Sequence, residues 1–451
     1  MVFWSEPTKT PANDAPKARK TSSDASLELR GRLHQRLLDM LNLSALEHTP
    51  RETLAAEIRR AITGLLADEK RLLSPAQTDL LVEELLDELL GLGPLEPLLA
   101  DESITDILIN THEHVYVERK GRLELTDVRF LDTRHLVRIV NKIVSAVGRR
   151  VDESSPMVDA RLADGSRVNA IIPPLAVDGP LVSIRKFAKI PINMGKLVEI
   201  GSITGEMAMV LQACVEARRN VLISGGTGSG KTTLLNALSA YIDPTERIVT
   251  IEDSAELQLQ QPHVGRLETR PSNIEGRGEI SQRDLVKNSL RMRPDRIIVG
   301  EVRSGEAFDM LQAMNTGHDG SMTTVHANNP RDAVRRVENM VSMAGLNFPV
   351  VAIRQQMASA INLMVHVARL TGGRRKVTNI AEVTGMEGEA FCLQDLFRFK
   401  QTSVDAEGHA IGHFEACGVR PQLLERIQSE GVELPLEMFR QRVLSSGRAR
   451  T

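Results

Sequence analysis

Residues 220–239 read NVLISGGTGSGKTTLLNALS, and this stretch decides the fold. An apolar run precedes the glycines, and a run of good helix formers follows them. Residues 225–232, GGTGSGKT, fit the pattern G-x-x-x-x-G-K-[ST], which requires a strand before it and a helix after it. A glycine turn that matches by chance needs neither Lys231 and Thr232 nor those flanking elements. The stretch therefore predicts a phosphate-binding loop (P-loop) in a domain with a parallel sheet.

The residues of this loop have distinct expected parts in binding ATP. Glycines let backbone N–H groups converge on phosphate oxygens, and the helix N-terminus adds a favourable dipole. Lys231 should reach the β- and γ-phosphates, and the hydroxyl of Thr232 should ligate Mg²⁺. The loop does not identify the phosphate acceptor, which could be water, a small-molecule hydroxyl or a protein. The predicted nucleotide-binding residues of the loop are Gly225, Gly226, Thr227, Gly228, Ser229, Gly230, Lys231, Thr232 and Thr233.

The sequence around the loop continues the same alternation. The apolar strands RIVTI and RIIVG are separated by amphipathic helical segments, a pattern typical of a parallel sheet with right-handed crossovers. We therefore predict an α/β ATPase domain over residues 202–400. Residues 401–451 carry no motif that we can assign, and we treat them as a C-terminal tail.

Four further regions precede this domain. Residues 1–26 are polar and lack apolar periodicity, which predicts a disordered arm. Residues 27–98 have leucines at helical spacing and predict a small helical module, whose leucines we interpret as inter-helix packing rather than a coiled-coil seam. Short alternating strands and one helix predict an α+β domain over 99–188, and Pro and Gly predict a linker over 189–201.

The helical module contains one clear helix start. Ser74 is the expected N-cap, Pro75 the first helical residue and Gln77 the capping-box partner. Downstream of it, Leu81, Leu85 and Leu89 fall on one face, which should pack against the other helices.

Composition excludes several classes of protein. With 56 Lys and Arg against 59 Asp and Glu, the net charge of −3 gives no overall attraction to nucleic acid, and 3% aromatic residues disfavour base stacking. The three cysteines lie far apart and form no zinc motif. No apolar run spans a bilayer, and the first residues do not resemble a secretory signal. We expect a cytoplasmic protein without a specific nucleic-acid partner.

Acidic residues follow two of the predicted strands. Glu301 ends the strand RIIVG, where a water-activating carboxylate is expected at the edge that carries the P-loop. The acid that usually precedes it is replaced by Gly300, so contact with Mg²⁺ through water falls to Glu301 or to another acid. Glu252 and Asp253, after RIVTI, are the other candidates. Each could also be an ordinary solvated loop carboxylate.

His326 lies in the run GHDGSMTTVHANNP, just after a short apolar strand. A lone histidine is more often structural than catalytic. A metal site made of His318, Asp319 and His326 matches no standard ligand spacing. Beside a P-loop, we favour His326 as a sensor of the γ-phosphate.

Several separate stretches together resemble one family. SPMVDARLADGSRVNAIIPP, VSIRKF, GGTGSGKTT, TIEDSAEL, RMRPDRIIVGEVR and GHDGSMTTVHAN occur in the order typical of the type II/type IV secretion ATPases. Within them, the chain looks like the tight-adherence (Flp pilus) ATPases of the CpaF/TadA type. The resemblance runs from about Gly91 to about Phe399. The tetracysteine zinc insertion of many type II secretion ATPases is missing, which disfavours that subgroup.

The resemblance implies a RecA-like ATPase domain behind an N-terminal domain, with ATP at the domain boundary. It implies a homohexamer that works with platform proteins at the bacterial inner membrane and associates with that membrane peripherally. TIEDSAEL resembles the family's Asp box, with Glu252, Asp253 and Glu256, and IIVGE its atypical Walker B, with Glu301 as base. TTVHA resembles its His box, with His326. Two N-terminal-domain arginines that reach the nucleotide correspond to Arg167 and Arg185, although both could be exposed strand charges.

Two other functions compete with a secretion motor. A nucleic-acid-translocating RecA-like ATPase would use the same nucleotide chemistry, but charge and aromatic content count against it. A small-molecule P-loop kinase would need an acceptor-binding signature, and we find none in the sequence.

Overall fold

The computed structural model describes residues 22–40, 51–69, 71–119, 121–187, 192–270, 272, 277–345 and 348–444. The chain divides into two compact units, Met1–Phe187 and Ala188–Thr451. The arm expected over residues 1–26 lies outside the described residues except for its end, because the first helix begins at Ser22. None of the described helices is both long enough and apolar enough to cross a membrane.

The first unit begins with three helices that share one core. They are α1 (Ser22–Met40), α2 (Arg51–Asp68) and α3 (Pro75–Leu90). Ser74 caps α3 with the reciprocal hydrogen bonds of a capping box to Gln77, as predicted from the sequence. Leu81 and Leu85 are buried among the leucines and isoleucines of the other two helices, so their common face packs inward.

An antiparallel sheet follows in the same unit, after a 3₁₀ turn (Gly93–Leu95) and α4 (Glu96–Ala100). Its strands lie in the order β3-β2-β1-β6-β5-β4, and α5 (Thr133–Ala146) packs its apolar face into their core. Asp132 caps α5 by accepting a hydrogen bond from the backbone N–H of His135. The strands are β1 (Ile104–Ile109), β2 (Val115–Arg119), β3 (Arg122–Leu125), β4 (Met157–Arg161), β5 (Arg167–Ile171) and β6 (Leu181–Arg185).

The second unit alternates strands and helices in its first part. The strands are β7 (Val221–Gly225), β8 (Ile248–Glu252), β9 (Val264–Glu268), β10 (Arg296–Val302), β11 (Met322–His326) and β12 (Leu363–Arg369). The helices are α6 (Met194–Glu199), α7 (Gly205–Glu216), α8 (Lys231–Ser239), α9 (Gln282–Ser289), α10 (Glu306–Asn315), α11 (Pro330–Ser342) and α12 (Val350–Ala360).

These six strands form the parallel core of a larger sheet, in the order β12-β7-β11-β10-β8-β9. All five residues of β7 are buried, which explains its unbroken apolar run. The α/β class with a parallel sheet that the sequence predicts is therefore confirmed. Because parallel strands end at the same edge, the segments after β7, β8, β10, β11 and β12 all leave the sheet on one side.

The sheet continues beyond β12 with antiparallel strands. They are β13 (Arg375–Glu387), β14 (Ala390–Val404), β15 (Ala410–Ala416) and β16 (Arg442–Leu444). Strand β14 crosses residue 400, where the sequence analysis ended the ATPase domain, and β15 and β16 extend the same sheet to Leu444. Helix α13 (Leu423–Ser429) and a 3₁₀ turn (Leu436–Phe439) bury Leu423, Leu424 and Phe439 in the core of this unit.

Asn220 ties three strand starts together at the opposite edge of the sheet. It immediately precedes β7, and its Oδ1 accepts a 2.9 Å hydrogen bond from the backbone N–H of Ser321, just before β11. Its Nδ2 donates to the carbonyl of Ala360 at 2.7 Å, and its backbone N–H donates to Oδ1 of Asn362, just before β12. One buried side chain thus fixes the starts of β7, β11 and β12.

Candidate nucleotide-binding site

The P-loop joins β7 to α8, as its sequence predicts. Gly228 and Gly230 have φ angles of 67° and 100°, which residues with a side chain rarely adopt. A Cβ atom on Gly225 would lie 2.3 Å from the carbonyl oxygen of Val367 and 2.6 Å from Oγ of Ser229. The loop therefore depends on glycine at these positions for its backbone shape and for its close packing on β12.

Lys231 points back into the loop from the start of α8. Its side chain is buried, and Nζ donates hydrogen bonds to the carbonyls of Gly225 at 3.1 Å and Gly226 at 3.0 Å. Ser229 Oγ also donates to the carbonyl of Gly226, at 2.9 Å. The ammonium group therefore lies inside the loop, where the phosphates of a nucleotide would take over its hydrogen bonds. Thr232 and Thr233 follow as the next two half-buried residues of α8, and Thr227 is exposed at the loop tip.

Glu301 and His326 are brought together from neighbouring strands. Nε2 of His326 lies 3.0 Å from Oε1 of Glu301 and 3.4 Å from Nζ of Lys231. The parallel register places His326 directly opposite Gly225. An irregularity in the β10–β11 pairing between Val299 and Val302 re-aims the backbone that carries Glu301, as bulges beside functional sites often do.

The electrostatics of this group keep the histidine neutral. Burial lowers the pKa of His326, and the positive charge of Lys231 acts in the same direction against the opposing effect of Glu301. A neutral imidazole at Nε2 can donate or accept one hydrogen bond, depending on its tautomer. His326 can therefore form a hydrogen bond with a nearby phosphate oxygen.

Glu252 lies at the end of β8, on the other side of β10. Oε1 accepts backbone hydrogen bonds from Glu256 at 2.8 Å and from Leu257 at 2.9 Å. Oε2 is buried and has no hydrogen-bond partner among the described residues. Burial raises the pKa of Glu252 to about 7. A buried carboxylate oxygen without a partner suits a cation or a water molecule bound to one.

Gly300 explains how Glu252 fits there. A Cβ atom on Gly300 would lie 2.8 Å from Cγ and 3.3 Å from Oε1 of Glu252. The space beside Gly300, where the usual acid is absent, is therefore filled by the side chain of Glu252 from the neighbouring strand. Any residue larger than glycine at position 300 would push that carboxylate away.

Arg303 was not singled out from the sequence, yet it links two of the predicted acids. Its guanidinium lies 2.8 Å from Oε2 of Glu301 and 3.2 Å from Oδ2 of Asp253. Each oxygen of the Glu301 carboxylate therefore faces a nitrogen base or cation. No local signal marks Arg303, because its contact with Asp253 depends on the loop that follows the neighbouring strand β8 in the sheet.

His366 is a second residue that the sequence analysis missed. It lies on β12 beside the P-loop strand, and its Nδ1 is 2.9 Å from Oγ of Ser224 on β7. Burial lowers the pKa of His366 to about 4, so its ring is neutral at physiological pH. Its partner belongs to an adjacent strand far along the chain, which a sequence pattern does not reveal.

Arg167 and Arg185 belong to the first unit. They face each other directly across β5 and β6, and Arg161 faces Arg167 from β4. Nε of Arg185 also lies 3.3 Å from Oδ1 of Asp106 on β1. The register therefore places three arginines in one row across neighbouring strands.

The metal group imagined around His318 has no support in the geometry. Nδ1 of His318 lies 3.3 Å from the carbonyl of Ala313 at the end of α10, whereas His326 faces Glu301 and Lys231. The two histidines therefore serve different neighbours.

The site fits Mg-ATP on the chemistry of its donors. The glycine loop and Lys231 suit phosphates, and the hydroxyl of Thr232 with the unpartnered Oε2 of Glu252 suits a hard cation. Glu301 provides a further carboxylate, beside His326 and Lys231.

Comparison with known proteins places the chain in a family. The sequence profile described as Type II/IV secretion system protein matches residues 88–404. The chain belongs to this family.

Two proteins with similar sequences agree with this assignment. A Mycobacterium tuberculosis protein named "Putative conjugal transfer protein" is 41% identical over 307 residues, covering 67% of this chain and 87% of the relative. Type IV secretion system protein PtlH of Bordetella pertussis is 33% identical over 318 residues, with 64% and 93% covered.

Among solved structures, the chain resembles the VirB11 ATPase of the Brucella suis type IV secretion system. The identity is 29%, the TM-score is 0.35, and the match covers 64% of this chain and 95% of that one. The family assignment rests on the sequence matches.

Proposed function

We propose that this family member is an ATPase motor that hydrolyses Mg-ATP to power pilus assembly or protein secretion at the bacterial inner membrane. The observation that carries the proposal is the connected group of Lys231, His326 and Glu301 at the mouth of the P-loop, with 3.4 Å and 3.0 Å between successive side chains. Nucleotide binding alone does not need a carboxylate beside the loop lysine, whereas hydrolysis needs a group that accepts a proton from the attacking water.

Each residue has one role in this proposal. The loop amides and Lys231 bind the β- and γ-phosphates, and Glu301 accepts a proton from the attacking water. His326 donates a hydrogen bond to the γ-phosphate and reports its presence to Glu301. Thr232 would hold Mg²⁺ directly, and Glu252 and Glu301 would reach it through water. The bound Mg²⁺ would supply positive charge against the phosphate oxygens.

The finer assignments extend this proposal. The motif order and the missing tetracysteine insertion support the tight-adherence subtype. We propose a homohexamer in which Arg167 and Arg185 bind phosphate charge, since the register of β5 and β6 places the two arginines directly opposite each other. We also propose that the ring associates peripherally with the inner membrane through platform proteins of a pilus or secretion system.

A nucleic-acid-translocating ATPase is less well supported. The net charge of −3 and the 3% aromatic content provide neither a strongly basic nor a stacking surface. A DNA-binding assay over a range of salt concentrations separates the two, because phosphate contacts weaken steeply with salt.

Lys231→Ala tests the ATPase assignment. The change removes the charge opposite the phosphates, so phosphate release with no added acceptor should nearly cease while the fold is kept. Lys196→Ala is the matched control, because Lys196 is an exposed lysine of the same unit paired with Glu199 at 2.7 Å. Near-normal turnover by a folded Lys231→Ala protein would contradict the proposal.

A further inference from the structure

The hairpin formed by β12 and β13 lies directly beside the P-loop. Strand β12 runs parallel to β7 with Val367 opposite Gly225, so both strands end at the same edge of the sheet. Two residues further along β12 comes Arg369, and the antiparallel pairing places it opposite Arg375 of β13. The hairpin therefore carries two arginines, one on each strand, to the edge where a nucleotide would bind.

Both arginines lie against the tip of the loop. Nε of Arg375 donates a 2.8 Å hydrogen bond to the carbonyl oxygen of Gly228, and its Cδ is 3.6 Å from the place of a Cβ on Gly230. Nη1 of Arg369 is 3.6 Å from the place of a Cβ on Gly228. Because both loop positions are glycines, no Cβ atom separates the two arginine side chains from the loop backbone.

The hairpin is held in place from outside the loop. Ser202 Oγ donates a 2.8 Å hydrogen bond to the carbonyl of Arg375. At the hairpin turn, a Cβ on Gly372 would lie 2.7 Å from Cα of His409, so the turn packs tightly on the β14–β15 connection. The backbone that carries the two arginines is therefore fixed relative to the loop.

The charges of this arrangement suit a bound anion. Arginine stays protonated in proteins, and like charges directly opposite in an antiparallel pair cost stability. Lys231 adds a third positive charge within the loop that both arginines touch. A polyanion bound in the loop would turn this repulsion into attraction.

We propose that Arg369 and Arg375 complete the nucleotide site from within the same unit, with Arg375 positioning the Gly228 peptide and Arg369 binding the phosphate chain. This inference rests on the proposed function. In a planar trans peptide the carbonyl and the following N–H point in opposite directions. Arg375 therefore turns the N–H of Ser229 away from the hairpin, where it now makes only a long 3.4 Å contact with the carbonyl of Gly226.

The test uses full-length protein with Arg369→Ala, Arg375→Ala and Arg375→Lys. Arg374→Ala is the matched control, because it removes the same charge from the same turn but from a side chain 4.0 Å from Asp405. Calorimetry gives Kd for ADP and for pyrophosphate, phosphate release gives KM and kcat for ATP, and thermal melts report stability.

Both alanine variants should raise Kd for ADP and for pyrophosphate about tenfold, the loss expected for one charge-assisted hydrogen bond. We expect KM for ATP to rise in parallel and kcat to fall by less than about threefold, because neither side chain acts in the chemical step. Arg375→Lys should recover most of the affinity, since an ammonium can still donate to the Gly228 carbonyl. Arg374→Ala should stay within about twofold of the wild type.

Three results would overturn the inference. One is unchanged ADP affinity in both alanine variants. Another is loss of ADP binding with unchanged pyrophosphate binding, which would assign the arginines to the base or ribose. The third is a lowered melting temperature with normal nucleotide affinity, which would make the hairpin contact purely structural. A wild-type protein that binds neither ADP nor ATP would overturn the proposed function as well, so the two failures are distinguishable.

Discussion

Nε2 of His326 lies 3.0 Å from Oε1 of Glu301. The two residues end adjacent parallel strands, and Arg303 holds the other carboxylate oxygen of Glu301 at 2.8 Å. Glu301 is therefore held by a hydrogen bond from Arg303 at one oxygen and faces the ring of His326 with the other. Because Nζ of Lys231 is also 3.4 Å from Nε2 of His326, a phosphate that attracts this lysine must rearrange the contacts of the histidine.

Glu301→Gln should separate ATP binding from hydrolysis. Glutamine keeps the shape and hydrogen bonding of the side chain but cannot accept the proton of water. We expect turnover to fall by roughly two to four orders of magnitude while Kd for ATP changes little. Phosphate release and equilibrium nucleotide binding measure the two quantities.

Glu252→Gln and Glu216→Gln are the comparison variants for this experiment. Glu252→Gln should raise the Mg²⁺ concentration needed for half-maximal activity, because we propose that its unpartnered oxygen faces the cation. Glu216 is exposed at the end of α7, and its substitution should be neutral. If Glu252→Gln binds ATP normally without turnover and Glu301→Gln does not, the two roles are reversed.

Gly300→Ala should damage the site without replacing a charged residue. The new Cβ would lie 2.8 Å from Cγ of Glu252, and such overpacking costs about 1–3 kcal/mol of stability. We expect a lower free energy of unfolding and an ATPase rate reduced at least about tenfold through the displaced carboxylate. Gly205→Ala, where a Cβ meets nothing within 4 Å, is the control. Wild-type activity in Gly300→Ala would show that the position of Glu252 is unimportant.

Arg167→Ala and Arg185→Ala should weaken nucleotide-stimulated ring closure and ATPase activity and leave the second unit folded. Each change removes a charge that we propose acts on phosphate. Mass measurement with and without a slowly hydrolysed ATP analogue reports assembly, and Arg150→Ala removes an exposed charge from the same unit as a control. A protein that stays monomeric with nucleotide at micromolar concentration, yet hydrolyses ATP at full rate, would contradict the hexameric motor.

His366 should make the protein sensitive to acid. Its pKa falls from 6.5 to about 4 on folding, so the unfolded chain binds the extra proton first as the pH drops. The stability from this residue is complete above pH 6.5 and is lost as the pH falls towards 4, by about 3 kcal/mol in total. His366→Asn should remove this slope when the free energy of unfolding is measured against pH. The half-buried His112→Asn variant should keep it, and parallel curves for wild type and His366→Asn would refute the prediction.

The parts of the site that depend on local sequence could be predicted. The strand, glycine loop and helix around Lys231 are contiguous, and each carries its own signal. The candidates Glu301, Glu252 and His326 could also be found, because residues after parallel strands meet at one edge. The contacts of Arg303 with Asp253 and of Arg375 with Gly228 could not be predicted, because they depend on which strands lie side by side in the sheet.

The extension of the sheet was also hidden from sequence reasoning. Strands β13–β16 are antiparallel and only partly buried, so they lack the unbroken apolar runs that mark the parallel core. The sequence shows that Gly300 replaces an acid, but it does not show why. A glycine is needed there because any Cβ would collide with the side chain of Glu252. Pair relationships of this kind become visible only in three dimensions.

Asn220 has a mechanical consequence for a chain that couples chemistry to movement. Its side chain and its backbone N–H form hydrogen bonds at the starts of three neighbouring strands. These bonds oppose lengthwise slipping of the strands past one another. In the motor that we propose, phosphate would act at the opposite ends of these strands, beside Lys231 and His326. With the strand starts held together, movement would pass through the loops and helices attached to the sheet rather than through sliding of its strands.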